Sequence, residues 1–210
     1  MSAAKKKPKK VAARRGPREA SKQRTRDALI RSAMELFAER GLDGPSLDEI
    51  CAHAGLTRGA LYVHFADREA LMLAVMDRVG TELLDELFAS GDGGFGGAAA
   101  RFVTASASGR YPLMPKGGIR PYQLLDACAR SPELRARYLS LVDSSVSRVA
   151  ALVRTGQDEG SLRADVPAEA AGTLALALIV GVQTLADLGH PIDLATLAPE
   201  VLKLFARRDL

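Results

Sequence analysis

The chain has 210 residues, 47% apolar and 26% charged, with 29 Lys+Arg against 25 Asp+Glu and a formal charge of +4. It is long enough to bury a core without metals or disulfides and too apolar for wholesale disorder; two Cys, Cys51 and Cys128, rule out a disulfide-stapled secreted scaffold. The small net charge sums unlike parts: residues 1–26 hold eleven basic residues and one acid, or +10, and the remainder carries −6.

The basic block runs from Lys5 to Arg26 and has no apolar period over its first twenty residues, so it does not fold alone. It attracts polyanions, a row of DNA phosphates foremost; a solvated tail and a nuclear-import run are the other readings. No apolar stretch follows it, so it is not read as a secretory signal, and two unpaired thiols suit a reducing cytoplasm.

Apolar spacing turns helical at about Thr25, with Leu29, Ile30, Ala33, Met34, Leu36 and Phe37 on one face, and Gly41 stops that helix. After the Gly44-Pro45-Ser46 turn, Ser46 and Glu49 have the spacing of a capping box, starting a helix with Leu47, Ile50, Cys51 and Ala54 that ends at Gly55. Thr57 caps a third helix, reaching about Phe65, and Asp67 a fourth, with Leu71, Leu73, Val75, Met76, Val79, Leu83, Leu84 and Leu87 on its apolar side. Ser90–Gly97, with five Gly in eight residues, is a flexible connector. Further helices are expected over Ala98–Ala107, Pro121–Ala129, Pro132 to about Glu159, Ala168–Leu188 and Leu194–Arg207, with a Pro/Gly-rich loop at Gly109–Pro121. No strand pattern is found, so the expectation is an all-α chain of nine helices. The 17 uncharged residues between Glu169 and Asp187 fall short of the roughly 20 that span a bilayer and lack aromatic anchors; a buried or subunit-interface helix is expected instead, with no membrane.

The segment Ser46–Phe65, SLDEICAHAGLTRGALYVHF, reads as two short helices about a turn at Gly55, a helix-turn-helix whose second helix can enter the DNA major groove. Arg58 then suits guanine O6 and N7 or a phosphate, Gly59 and Ala60 allow close approach, and Tyr62 and His64 suit phosphate. Thr25, Ser46 and Thr57 stand at expected helix starts, where hydroxyls and free N–H groups favour phosphate, and Arg68 opens the next helix as a further phosphate candidate. Cys51 is read as packing.

The run GLTRGALYVHFADREAL, preceded by ALIRSAMELFAERGLDGPSLDEICAHA, closely resembles the DNA-binding signature of the TetR/AcrR family of bacterial transcriptional regulators over about residues 22–72. Cys51 in place of a small Ala, Val63 in place of a bulkier aromatic, and Asp67-Arg68 in place of a polar cap and Lys are departures from that pattern. The resemblance implies a nine-helix TetR-like fold: a three-helix DNA-binding domain (22–70) after a basic flexible arm (1–21), and a helical ligand-binding and dimerisation domain (71–210). It implies a cytoplasmic homodimer, paired through its last two helices, that binds double-stranded DNA at a palindromic operator with half-sites about one helical turn or more apart. Repression relieved by an unknown small-molecule effector is the family default.

On that reading, candidate pocket residues are Phe102, Met114, Tyr122, Leu125, Leu141, Val142, Val146, Leu178 and Gln183, each with plain core as its other reading. Arg101, Arg120 and Arg148 are candidates for an anionic ligand or surface charge. The dimer interface is expected at Gly172, Ala175, Gly181 and Leu185, with Leu188, Leu197, Val201, Leu204 and Phe205 supplying bulk. The three His, at 53, 64 and 190, lack metal-ligand spacing, and no hydrolase, P-loop or dinucleotide motif occurs, so neither enzyme, metal nor cofactor is expected. A nonspecific architectural DNA-binding protein using the arm is the alternative; the 100 residues beyond the head would then have no role.

Overall fold

The computed structural model describes residues 16–88, 93–107 and 121–207. Among them lie nine helices: α1 Pro17–Arg40, α2 Leu47–His53, α3 Arg58–Tyr62, α4 Arg68–Leu87, α5 Gly94–Ala107, α6 Pro121–Arg130, α7 Pro132–Asp158, α8 Ala168–Asp187 and α9 Leu194–Phe205. Only one isolated β-bridge, Leu162 to Ala206, interrupts this all-α pattern among the described residues.

Helix α1 starts eight residues before the expected point. Pro17 sits in its first turn with Glu19 close behind, a residue order that favours initiation. The extra turns are mostly exposed, with Arg18, Lys22 and Arg24 on their surface, so they have no hydrophobic period to read. Residues 17–21, expected as arm, are therefore helical. Thr25 is not at a helix start: it lies in the third turn, and its hydroxyl donates to the Ser21 carbonyl at 3.3 Å. Its own N–H groups are spent inside the helix and do not face a phosphate.

The other boundaries follow their caps. Ser131, which the sequence reading passed over, accepts from the Leu134 N–H and starts α7. Helix α5 begins at Gly94, four residues before the expected Ala98; residues 89–92 of the Gly-rich connector and the loop 108–120 lie outside the described residues.

Packing forms two clusters. The first joins α1 to α4 with α6 and the start of α7: Leu29, Phe37, Ile50, Leu61, Leu71 and Val75 are fully or almost fully buried, and Ala127, Cys128 and Leu134 close its base. The second, around Val149, Val153, Ala171 and Phe205, joins α7, α8 and α9. At Gly172 α8 approaches α7 closely; a Cβ there would lie 2.9 Å from the Val146 carbonyl oxygen. Helix α8 is long and apolar enough to cross a membrane by length and composition, yet one face is packed on α7 and the other leaves Leu174 and Leu185 exposed.

Candidate nucleic-acid interface and internal cavities

The α2–α3 pair is built by local hydrogen bonds. Ser46 Oγ accepts from the Glu49 N–H at 3.2 Å, and a Glu49 carboxylate oxygen accepts from the Ser46 N–H at 2.7 Å. The Ser46 N–H and the Ser46 hydroxyl, which both donate to Glu49 Oε2, and then the Arg40 guanidinium hold the Glu49 carboxyl below its ordinary range. At the other end Leu56 N–H donates to the Cys51 carbonyl and Gly55 N–H to the Ala52 carbonyl. This is the Schellman pairing, and it needs the left-handed φ of +66° that Gly55 supplies. Thr57 Oγ1 then accepts from the Ala60 N–H and starts α3.

Helix α1 locks the pair from behind. The buried Ser32 hydroxyl donates to the Ile50 carbonyl at 2.8 Å and lies 3.0 Å from His53 Nδ1. Because the hydroxyl proton is used on Ile50, the fitting tautomer has His53 donating through Nδ1. Arg26 lies 4.5 Å from the Phe65 ring centroid and donates to the His64 carbonyl. Ser32, Arg26 and Asp48 were not singled out from sequence, since single polar residues on an apolar helix carry no spacing signal.

Leu61 points into the core, leaving Arg58, Gly59, Tyr62 and Val63 on the exposed side of α3, with Tyr62 49% and Val63 64% accessible. Ala60 is half-buried. Val63, a departure from the family pattern, is solvent-facing beside the candidate contacts. Arg58 is paired with Asp48 of α2 at 2.9 Å. His64 is partly buried beside Lys22 and Arg26, and burial first, then those cations, push its imidazole below the ordinary value of 6.5. In the free chain the ring is therefore mostly neutral at pH 7. The hydroxyls of Ser46 and Thr57 serve as caps, and α2 and α3 are short.

Arg68 departs most from its expected role. Its guanidinium donates to the Pro45 and Leu42 carbonyls in the α1–α2 turn and sits 5.3 Å from the Phe37 ring centroid. With those donors committed inward, it is a clamp between α4 and the turn, not a free phosphate ligand.

Two cavities lie farther down. One encloses about 160 Å³ between α1, α4, α6, α7 and α8; Phe37 and Leu42 of the head form part of its wall, with Leu141, Val142 and Gln183 from the expected pocket set. Its lining carries no charged residue, and its polar groups are Tyr138, Ser145 and Gln183. Gln183 donates to Ser106 at 3.0 Å, and burial raises the Tyr138 phenol, keeping it neutral. The second, about 110 Å³, is apolar and lies among α4, α5, α7, α8 and α9; it takes in Phe102 and Leu178. Tyr122 and Leu125 line neither, because α6 turns Ala127 and Cys128 inward and leaves those two exposed. Val146 also lines neither; it packs on Gly172. Met114 and Arg120 lie outside the described residues. Arg101 donates to the Leu87 carbonyl, and Arg148 lies near Asp85 and the Phe88 ring, so neither guanidinium projects into a cavity wall.

Of the expected interface set, Gly181, Leu185, Leu188, Leu197 and Leu204 are exposed. Gly172 and Phe205 are buried within the chain by α7 and by Phe95, whose ring lies 5.0 Å from that of Phe205; they form core, not an open face. Ala175 and Val201 are partly covered in the same cluster. Among the described residues, no group of three or more His, Cys, Asp or Glu converges as a metal site.

Residues 29–75 match the family of bacterial regulatory proteins, tetR family. Residues 29–75 therefore form a TetR-type DNA-binding domain. The TetR-type head is 41% identical over 54 residues to the HTH-type transcriptional repressor BepR of Brucella suis, covering 26% of each chain; the chain thus spans about a quarter of that relative's length. The whole TetR-like fold is shared with a TetR transcriptional regulator from Chloroflexus aurantiacus, at 28% identity and a TM-score of 0.69, covering 88% of this chain and 93% of that one. It is shared too with a regulator from Saccharomonospora viridis solved with choline, at 18% identity and a TM-score of 0.72, covering 89% and 100%.

Proposed function

We propose that this chain is a ligand-responsive transcriptional repressor of the cytoplasm, which binds a palindromic operator as a homodimer and is released by a small neutral effector. The observation that carries this reading is the wall shared between the larger cavity and the head. Phe37 and Leu42 belong to α1 and its following turn, yet they line the cavity, and Arg68 ties the same turn to α4. Filling the cavity therefore displaces α4 and the turn that positions α2 and α3, a differential contact of the kind that couples two sites.

The exposed side of α3, with Thr57, Arg58, Gly59, Tyr62 and Val63, is the proposed groove-facing surface, and Ala60 and His64 flank it. The basic first turns of α1 and the preceding residues supply phosphate attraction. The exposed Leu185, Leu188 and Leu204, beside Gly181, form the proposed pairing surface of α8 and α9. An unpaired charge in the larger cavity would be costly, so the effector is neutral, apolar over most of its surface and hydrogen-bonded through one polar group to Tyr138, Ser145 or Gln183. The space is comparable to an apolar cavity of about 150 Å³ that accepts benzene, which points to compounds around one ring in size.

The test begins with duplexes selected from a randomised pool. Neutral monocyclic aromatics such as phenols are then screened for thermal stabilisation, and the hits for release of the selected duplex. Hits that stabilise the protein and release the DNA support the proposal, as does loss of both effects in Gln183→Leu. An affinity for selected duplex no better than for random duplex at fixed salt would instead support the architectural reading.

A further inference from the structure

We infer that Asp48 is a specificity-determining positioning residue, which together with Tyr62 holds the Arg58 guanidinium ready to read a guanine. This rests on the proposal that α3 faces DNA. A guanidinium has five N–H groups. Arg58 gives one from Nη1 to Asp48 Oδ2 at 2.9 Å and its single Nε–H to the Tyr62 hydroxyl at 3.3 Å. The guanidinium carbon lies 5.8 Å from the Tyr62 ring centroid, so the aromatic face also favours the cation. Three N–H groups remain, both on Nη2 and one on Nη1. That is enough to supply the two donors that guanine O6 and N7 accept.

The pair does not exist for the sake of the fold. Arg58 and Asp48 are both more than half exposed, where an ion pair adds little to stability, and each projects from a different helix of the motif. Asp48 also has a local role in the first turn of α2, where the helix N-terminus favours a carboxylate, but that role needs no arginine. The cost of Asp48 falls on indiscriminate binding: a carboxylate on a face that meets phosphates weakens attachment to any sequence. Ordering Arg58 before binding removes part of the rotamer loss from the binding step, and the gain is realised only where a guanine accepts both donors. Asp48 therefore raises discrimination while lowering general affinity.

The experiment uses the full chain and selection from duplexes with a randomised centre, comparing wild type, Asp48→Ala, Asp48→Asn and Arg58→Ala, each checked by thermal melting. Wild type is expected to enrich a two-fold symmetric motif with guanine fixed in each half, and Arg58→Ala to lose that guanine. Asp48→Ala should lose about tenfold in preference at the same position while holding or gaining affinity for unselected duplex. Asp48→Asn, whose amide oxygen still accepts from Nη1, should keep most of the preference. If Asp48→Ala retains the guanine undiminished, or if Asp48→Asn behaves like Asp48→Ala, positioning is refuted. If Arg58→Ala keeps the wild-type motif, or wild type enriches none, it is the underlying placement of α3 on DNA that fails.

Discussion

Gly59 offers a substitution whose effects on folding and on binding have opposite signs. A Cβ built at Gly59 meets only Thr57 Oγ1, at 3.8 Å, an ordinary contact. Nothing in the free chain requires glycine there, and its backbone is helical. Gly59→Ala therefore removes conformational freedom from the unfolded chain at no steric cost and should stabilise by up to about 1 kcal/mol. For a chain of this size that raises Tm by about 2–4 °C. Against DNA the same methyl is an obstruction. It extends about 1.5 Å beyond Cα, whereas groove hydrogen bonds near 2.9 Å tolerate only a few tenths of an ångström. Backing α3 away by that amount forfeits a bidentate base contact, about 1–3 kcal/mol per half-site. Scanning calorimetry and fluorescence anisotropy on a selected duplex measure the two effects separately. A variant that binds within twofold of wild type would refute the placement of Gly59 against DNA, and one that melts lower would refute the claim that the free chain has no need of glycine there.

Other expectations follow from the same geometry. Arg68→Ala leaves the Pro45 and Leu42 carbonyls without their charged donor and should cost about 2–3 kcal/mol in chemical denaturation, with weaker coupling between effector and duplex. Removing residues 1–15 takes away seven Lys and Arg; each that neutralises a phosphate contributes about 0.9 to the slope of log K against log salt, so a shallower slope is expected and an unchanged one would exclude the arm from the complex. Leu185→Glu and Leu188→Glu together place charges on an exposed apolar face and should convert a dimer to monomers in light scattering without lowering Tm of the monomer fold. His64 binds its proton more weakly in the folded chain than unfolded, so its contribution is fully present above the unfolded value of 6.5 and is lost as pH falls below it; nearby phosphates reverse that bias, and duplex affinity should rise with acidity in wild type but not in His64→Gln.

How much of this was legible beforehand depended on whether residues advertised themselves by pattern. Ser46 with Glu49, Gly55, Thr57 and Asp67 announced the helix-turn-helix because capping and left-handed turns demand particular side chains at fixed offsets, and the structure places each in that role. The first two turns of α1 were missed because a mostly exposed, charged stretch of helix needs no apolar period. Arg68 was assigned to phosphate because position in a first turn says nothing of direction; its partners lie more than twenty residues away in sequence. Gly172 was assigned outward because an all-round apolar helix does not reveal which side its own chain covers, and Phe205 because the apolar face of α9 does not reveal whether its own chain or a partner covers it; Leu185 and Leu188 are exposed. The pocket set divided between two cavities for the same reason: side-chain type identifies apolar walls but not which void they enclose.

The burial of Ala127, Cys128 and Leu134 in the same cluster as Leu29 and Leu61 bears on modular engineering. A chimera that grafts residues 1–70 onto a foreign sensor would leave Leu71, Val75 and Met76 behind and open the underside of the donor head. Transplanting through Leu87 carries α4 along, yet the foreign α6 and α7 must still offer small and branched side chains where Ala127, Cys128 and Leu134 stand. Successful exchange of DNA specificity is therefore expected from rewriting the exposed face of α3 in place, with the scaffold beneath it left intact.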